Sequence, residues 1–283
     1  MPAIRKEYTM YKTILVHVDR SPLMESRLRA AAALALDQGA HLVGAATTGM
    51  PWSSYALLTG SMAVTPIEEF DALRAGARSA LAQFTQAARR LGVTAPEERL
   101  VEDEDRQALL LHARYADLVV VSQESGDGLV LRGLPEYVAL HGPRPVLMVP
   151  AGWAGPAAGG DAVVGWDGSL AAIRAIDGAM PLLCRARNVR LALINPEREA
   201  GLHGQEPGAD MALYLARHGV SVEVIVERSE LPTGEVLLGM ARASNAGLLV
   251  SGAFGHSRFR EIVLGGVTRV ILARAAIPVL FAH

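Results

Sequence analysis

A chain of 283 residues with 27 basic and 29 acidic side chains and a net charge of −2 has room for one large domain or two ordinary ones. It is 51% apolar and only 5% aromatic, which suits a soluble α/β composition and excludes a disordered chain. The near-zero charge argues against a nucleic-acid-binding face, no run approaches the ~20 apolar residues of a membrane span, and a single cysteine, Cys184, allows neither an intrachain disulfide nor a Cys-based metal site.

The first twelve residues carry charges and lack the apolar core of a secretory signal, so a cytoplasmic location is expected. The first strand is Thr13–Val18, ending at Asp19. Ser21 offers an N-cap with Pro22 at the first helical position, and Met24, Leu28, Ala31 and Ala35 keep helical spacing until Gly39. A second strand covers His41–Ala46. Thr47–Pro66 reads as a loop rich in Gly, Ser, Thr and Pro, with Trp52 and Tyr55 inside it as candidate lid residues for a small ligand. A long helix begins near Ile67, with Phe70, Leu73, Leu81, Phe84 and Leu91 on its inner face, and stops at Gly92. A strand near Arg99–Glu102, a helix around Gln107–Ala113, a strand at Leu118–Ser122 and another at Val146–Val149 complete this half. Strands alternating with helices predict a parallel sheet covered on both faces.

Pro150–Gly160 reads as a linker, and beyond it the pattern starts again. Ala162–Ser169 answers the first strand, with Asp167 in the place of Asp19. Val189–Ile194 answers His41–Ala46, Ala246–Ser251 answers Ala116–Val121, and Ile277–Phe281 answers Arg144–Met148. Four matches in one order are an internal duplication. The offset is 148 at Asp19/Asp167 and 130 at Ala116/Ala246, so the first half carries about 18 extra residues, placed in the Thr47–Pro66 loop. The expected fold is α/β, with two tandem Rossmann-like doubly wound domains over 1–150 and 161–283, each a five-stranded parallel sheet flanked by helices. In the second half Ile173, Ile176 and Met180 give the first helix its inner face and Pro181 should kink or interrupt it. Asp210–Arg217 and Glu235–Ala241 are further helices, and Val222–Val226 is a strand. Cys184, in an apolar helical stretch, reads as a core thiol.

The chemistry concentrates after the strand Leu248–Ser251. Gly252 and Gly255 are followed by Gly265-Gly266, and a helix begins at Val267-Thr268. Glycines let backbone N–H groups approach phosphate oxygens, and a helix N-terminus adds unpaired donors and partial positive charge. Asp167, at the end of the first strand of the same sheet, offers a carboxylate to ribose hydroxyls or an adenine amine. It is equally what a turn ahead of an N-cap at Ser169 needs. The spacing Gly-x2-Gly-x9-Gly over Gly252, Gly255 and Gly265 resembles the nucleotide-binding signature of the universal stress protein family, and the tandem pattern extends the resemblance over essentially the whole chain. The resemblance implies that Asp167 contacts the adenosine and that the backbone at Leu193 holds the adenine edge. It further implies that Gly252, Gly255, Gly265, Gly266, Val267 and Thr268 surround the ribose and phosphates. The implied ligand is an adenine nucleotide, ATP with Mg2+, and terminal-strand pairing in the family implies pseudo-symmetric halves and a homodimer. Gly266 stands where the family has Ser or Thr, which removes one hydroxyl donor to the phosphate.

The first half departs from the pattern. From Ser122 to Pro135 the glycine spacing is absent, Glu124 and Asp127 would repel phosphate, and Pro135 supplies no N–H. This half is expected to keep the fold without the ligand. Walker A, Gly-x-Gly-x-x-Gly, Gly-x-Ser-x-Gly and His-Glu-x-x-His motifs are missing. His256, Arg258 and Arg260 lie within or beside the glycine loop and could face a phosphate or solvent. No base and nucleophile are positioned, so no catalytic residue and no metal ligand are assigned. The leading expectation is a stress-response regulator that binds nucleotide in its second half. A slow ATPase or phosphotransferase, and a nucleotide-free interaction module, are the alternatives.

Overall fold

The inner strands are near-continuous apolar runs because helices cover both faces of the sheet: Leu118–Val121, Val146–Val149 and Leu249–Val250 are fully buried. The computed structural model describes residues 10–59, 66–124, 133–155, 159–202, 205–253 and 266–283. In the first half the order is β1 (Thr13–Val18), α1 (Met24–Gln38), β2 (His41–Thr47), α2 (Trp52–Thr59), α3 (Pro66–Arg90), β3 (Glu97–Val101), α4 (Asp105–Ala113), β4 (Leu118–Ser122), α5 (Leu134–His141) and β5 (Val146–Val149). The second half has β6 (Ala162–Gly165), α6 (Leu170–Leu183), β7 (Val189–Ile194), a 3-10 helix (Pro196–Leu202), α7 (Ala209–Arg217), β8 (Val222–Glu227), α8 (Thr233–Ala243), β9 (Leu248–Gly252), α9 (Gly266–Arg274) and β10 (Val279–Ala282).

The two five-stranded parallel units are not separate sheets. The strand order is β3-β2-β1-β4-β5-β10-β9-β6-β7-β8, a single ten-stranded sheet. The join is antiparallel, with Val146, Leu147 and Met148 opposite Phe281, Leu280 and Val279. Each half alone would expose an apolar terminal strand, and pairing the two removes both edges. The core runs across this seam on both faces. Leu147 and Leu280 lie in the cluster on one side, Met148 and Phe281 in the cluster on the other. Side-chain bonds also tie the halves: the Tyr11 hydroxyl donates to the Gly178 carbonyl at 2.6 Å, the Gln123 amide donates to the Leu272 carbonyl in α9 at 2.9 Å, and the Arg185 guanidinium donates to the Asp37 carboxylate.

Four local expectations change. The Thr47–Pro66 loop contains α2, because Trp52 and Tyr55, one turn apart, both pack on Phe70 of α3 (ring centroids 5.1 and 5.5 Å). Ser21 does not cap α1, which starts at Met24; its hydroxyl and N–H both go to Asp19 Oδ1. Helix α6 runs through Pro181 and ends two residues later, at Leu183. Cys184 is half-buried, its thiol toward the His218 carbonyl at 3.6 Å.

Candidate functional site

In each half the strand order reverses between the first and fourth strands, and a ligand crevice lies beyond their carboxyl ends. In the second half these strands are β6 and β9, paired over Ala162–Val164 and Leu248–Val250. Past Gly165 the chain turns through Trp166-Asp167-Gly168, with Gly168 at φ +76°. A side chain at Gly168 is excluded twice over, by that φ and because its Cβ would stand 2.8 Å from the Leu202 Cβ. Asp167 Oδ1 accepts the Ser169 N–H at 2.9 Å, and Ser169 Oγ accepts the Ala172 N–H at 3.1 Å, capping α6. The triplet therefore builds its own turn and cap, and the same turn leaves half-buried Asp167 at the carboxyl end of β6.

Gly252 is the last residue of β9. A Cβ there would lie 2.6 Å from the Ala172 nitrogen and 2.8 Å from the Ala171 carbonyl carbon. The start of α6 rests directly on the strand end, so packing alone demands glycine at this place. Asp167 and Gly252 thus meet through the first turn of α6. Leu193 is the penultimate residue of β7, beside β6, with its side chain fully buried against Gly208. Gly266, Val267 and Thr268 form the first turn of α9, which links the parallel strands β9 and β10 and so starts at the carboxyl end of the sheet. Thr268 is buried, whereas no atom of the described residues lies within 4 Å of a Cβ built at Gly266. Gly255 and Gly265, with His256, Arg258 and Arg260, lie outside the described residues. Among the described residues no group of three His, Cys, Asp or Glu is placed to hold a metal.

The first half fills the corresponding place with a polar cluster. Arg27, only 2% exposed, sends one guanidinium nitrogen to Asp19 Oδ1 at 2.8 Å and another to Ser122 Oγ at 3.1 Å. His17 lies between Asp19 (3.8 Å) and Asp105 (3.4 Å), and the Thr47 hydroxyl donates to Asp105. Burial works to raise the Asp19 carboxyl, but Arg27, His17 and the Ser21 hydroxyl outweigh it and hold it below the usual carboxylate range. Asp105 is held low too, chiefly by the His17 ring against the cost of burial. Burial pulls the Arg27 guanidinium down, with Asp19 opposing. The sequence carried a signal that went unread. Arg27 sits one turn from Met24 and Ala31 on the apolar face of α1, eight residues after an aspartate, and an arginine there must find a carboxylate.

The universal stress protein family model matches the chain over residues 10–150 and again over 161–283. The chain belongs to the universal stress protein family. A universal stress protein from Archaeoglobus fulgidus shares the fold with a TM-score of 0.70 at 15% identity, covering 95% of each chain. A putative one from Pseudomonas aeruginosa gives 0.61 at 18% identity, covering 96% of this chain and 93% of its own. A universal stress protein solved in complex with cAMP aligns with 50% of this chain and 98% of its own, at 24% identity and a TM-score of 0.40. No curated protein matches. No helix among the described residues is long and apolar enough to cross a membrane.

Proposed function

We propose that this universal stress protein is a stress-response regulator that binds ATP, with Mg2+, at the carboxyl ends of β6 and β9. The observation that carries the reading is the contrast between equivalent positions of the two halves. On the internal register His17, Arg27 and Ser122 correspond to Gly165, Ala175 and Gly252. One half lines the crevice with polar side chains, among which Arg27 bonds both Asp19 and Ser122, the other with residues too small to do so. Asp167 and the first turn of α9 then supply the two things a nucleotide needs, an acceptor for the nucleoside and a donor-rich positive pole for phosphate. The space at Gly266, clear of the described residues, suits a phosphate group. Nucleotide binding would shift the balance between conformations or partners by its own differential affinity. A second chain would have to dock elsewhere than on β5 and β10, which are spent on each other.

The test is the unfolding temperature of nucleotide-stripped protein titrated with ATP, ADP, AMP and cAMP in the presence of Mg2+. Ligand at about 100 times Kd adds roughly 2.7 kcal/mol. A saturable rise with ATP that D167A abolishes supports the reading. No rise with any nucleotide at millimolar concentration refutes it.

A further inference from the structure

The two halves can be compared position by position around the crevice, because Asp19 answers Asp167 and, after the glycine loop, Gly133 answers Gly266. Leu134 then stands for Val267, whose N–H belongs to the turn assigned to phosphate. In the first half that place is taken. Glu124 Oε1 accepts the Leu134 N–H at 2.8 Å, in the first turn of α5. Gly133 gives the carboxylate room, since a Cβ on it would press on Glu124 Oε2 where it now stands. A carboxylate on an unpaired N–H at a helix N-terminus is an anion where the helix favours one. At the opposite pole, Asp19 is engaged by the buried Arg27 guanidinium, which Ser122 also holds. Ala175 and Gly252 leave the second half without either group.

We propose that the first half is closed by its own side chains, with Arg27 standing in for the ligand at Asp19 and the Glu124 carboxylate standing in for phosphate at α5. Glu124 does more than repel phosphate: it satisfies the donor a phosphate would use. The first half is then nucleotide-independent, and one chain takes one nucleotide. Naming the excluded ligand a nucleotide rests on the reading of the second half; the occlusion itself does not.

The test is hydrogen exchange in the full-length protein, read at α5 with no addition, with inorganic phosphate and with AMP, each at millimolar concentration. In the wild type neither addition changes α5. In E124A the Leu134 amide exchanges about tenfold faster, as expected for the loss of one charge-assisted hydrogen bond, and phosphate restores its protection. In R27M/E124A, AMP restores it at lower concentration than phosphate does. Protection of α5 by AMP in the wild type overturns the proposal, as does an E124A amide that is unchanged or that no anion protects. E124A leaves the buried Arg27 pair intact, so the test stands even where the double variant does not fold. Exchange at α9 in the same samples reads the second half separately, so the two readings fail independently.

Discussion

Gly252→Ala separates two reasons for one glycine. The family pattern places it there for close approach to phosphate, while the structure places its missing side chain against the backbone of α6. The added Cβ would start 2.6 Å from the Ala172 nitrogen and 2.8 Å from the Ala171 carbonyl carbon. Reaching ordinary contact at about 3.5 Å requires the start of α6 to retreat by about 0.9 Å. That helix is capped by Ser169 and holds buried Ala171, Ala172, Ala175 and Ile176 in the core, so the retreat is resisted along its whole inner face. Overpacking of this kind costs about 1–3 kcal/mol, which lowers Tm by about 2–12 °C at this size. The assay is urea and thermal unfolding of wild type and G252A without nucleotide. A G252A protein as stable as wild type would refute the packing argument and return the glycine to the ligand.

Gly266→Ser should act in the opposite direction. The position is clear of the described residues and outside the left-handed region, so the hydroxyl is accommodated without strain, and nucleotide affinity should rise by about tenfold to a hundredfold while the ligand-free Tm stays put. Calorimetric titration with ATP measures it, and unchanged affinity would remove Gly266 from the phosphate site. Tyr11→Phe deletes a buried hydroxyl that bridges the halves to the Gly178 carbonyl and should cost about 0.5–1.5 kcal/mol in urea unfolding; no loss would mean this bond does not help hold the halves together. Acid should weaken the polar cluster of the first half. Asp19 and Asp105 have folded pKa values below their unfolded ones, so their contribution is full above the unfolded value of about 3.9 and is lost as pH falls through the folded values. Urea midpoints between neutral pH and pH 3 should fall less steeply in D19N than in wild type, and parallel slopes would refute the assignment.

The sequence by itself determined the strand-helix alternation, the duplication and the second-half elements that meet at the crevice. These follow from period, glycine placement and chain order, all of which are local. Gly252 stood out through the glycine spacing of its loop and Asp167 through its place at a strand end, whereas roles for Gly266, Val267 and Thr268 came from the family resemblance. Leu193 could be named only through the family resemblance, since a buried leucine near a strand end announces nothing by itself. The α2 helix stayed hidden because its stability comes from Trp52 and Tyr55 packing on Phe70, a contact across the following loop rather than a propensity of its own.

Only the tertiary structure decided what the two halves do with the same crevice. Ser122 is far along the chain from Asp19 and Arg27, and its bond to Arg27 depends on β1 and β4 lying side by side under α1. Glu124 reads in the sequence as a charge that repels phosphate, and only the structure seats it on the Leu134 N–H in the first turn of α5. The antiparallel seam of β5 and β10 likewise joins two parallel sheets into one, because each terminal strand is apolar on both faces and carries an edge that only the other half covers.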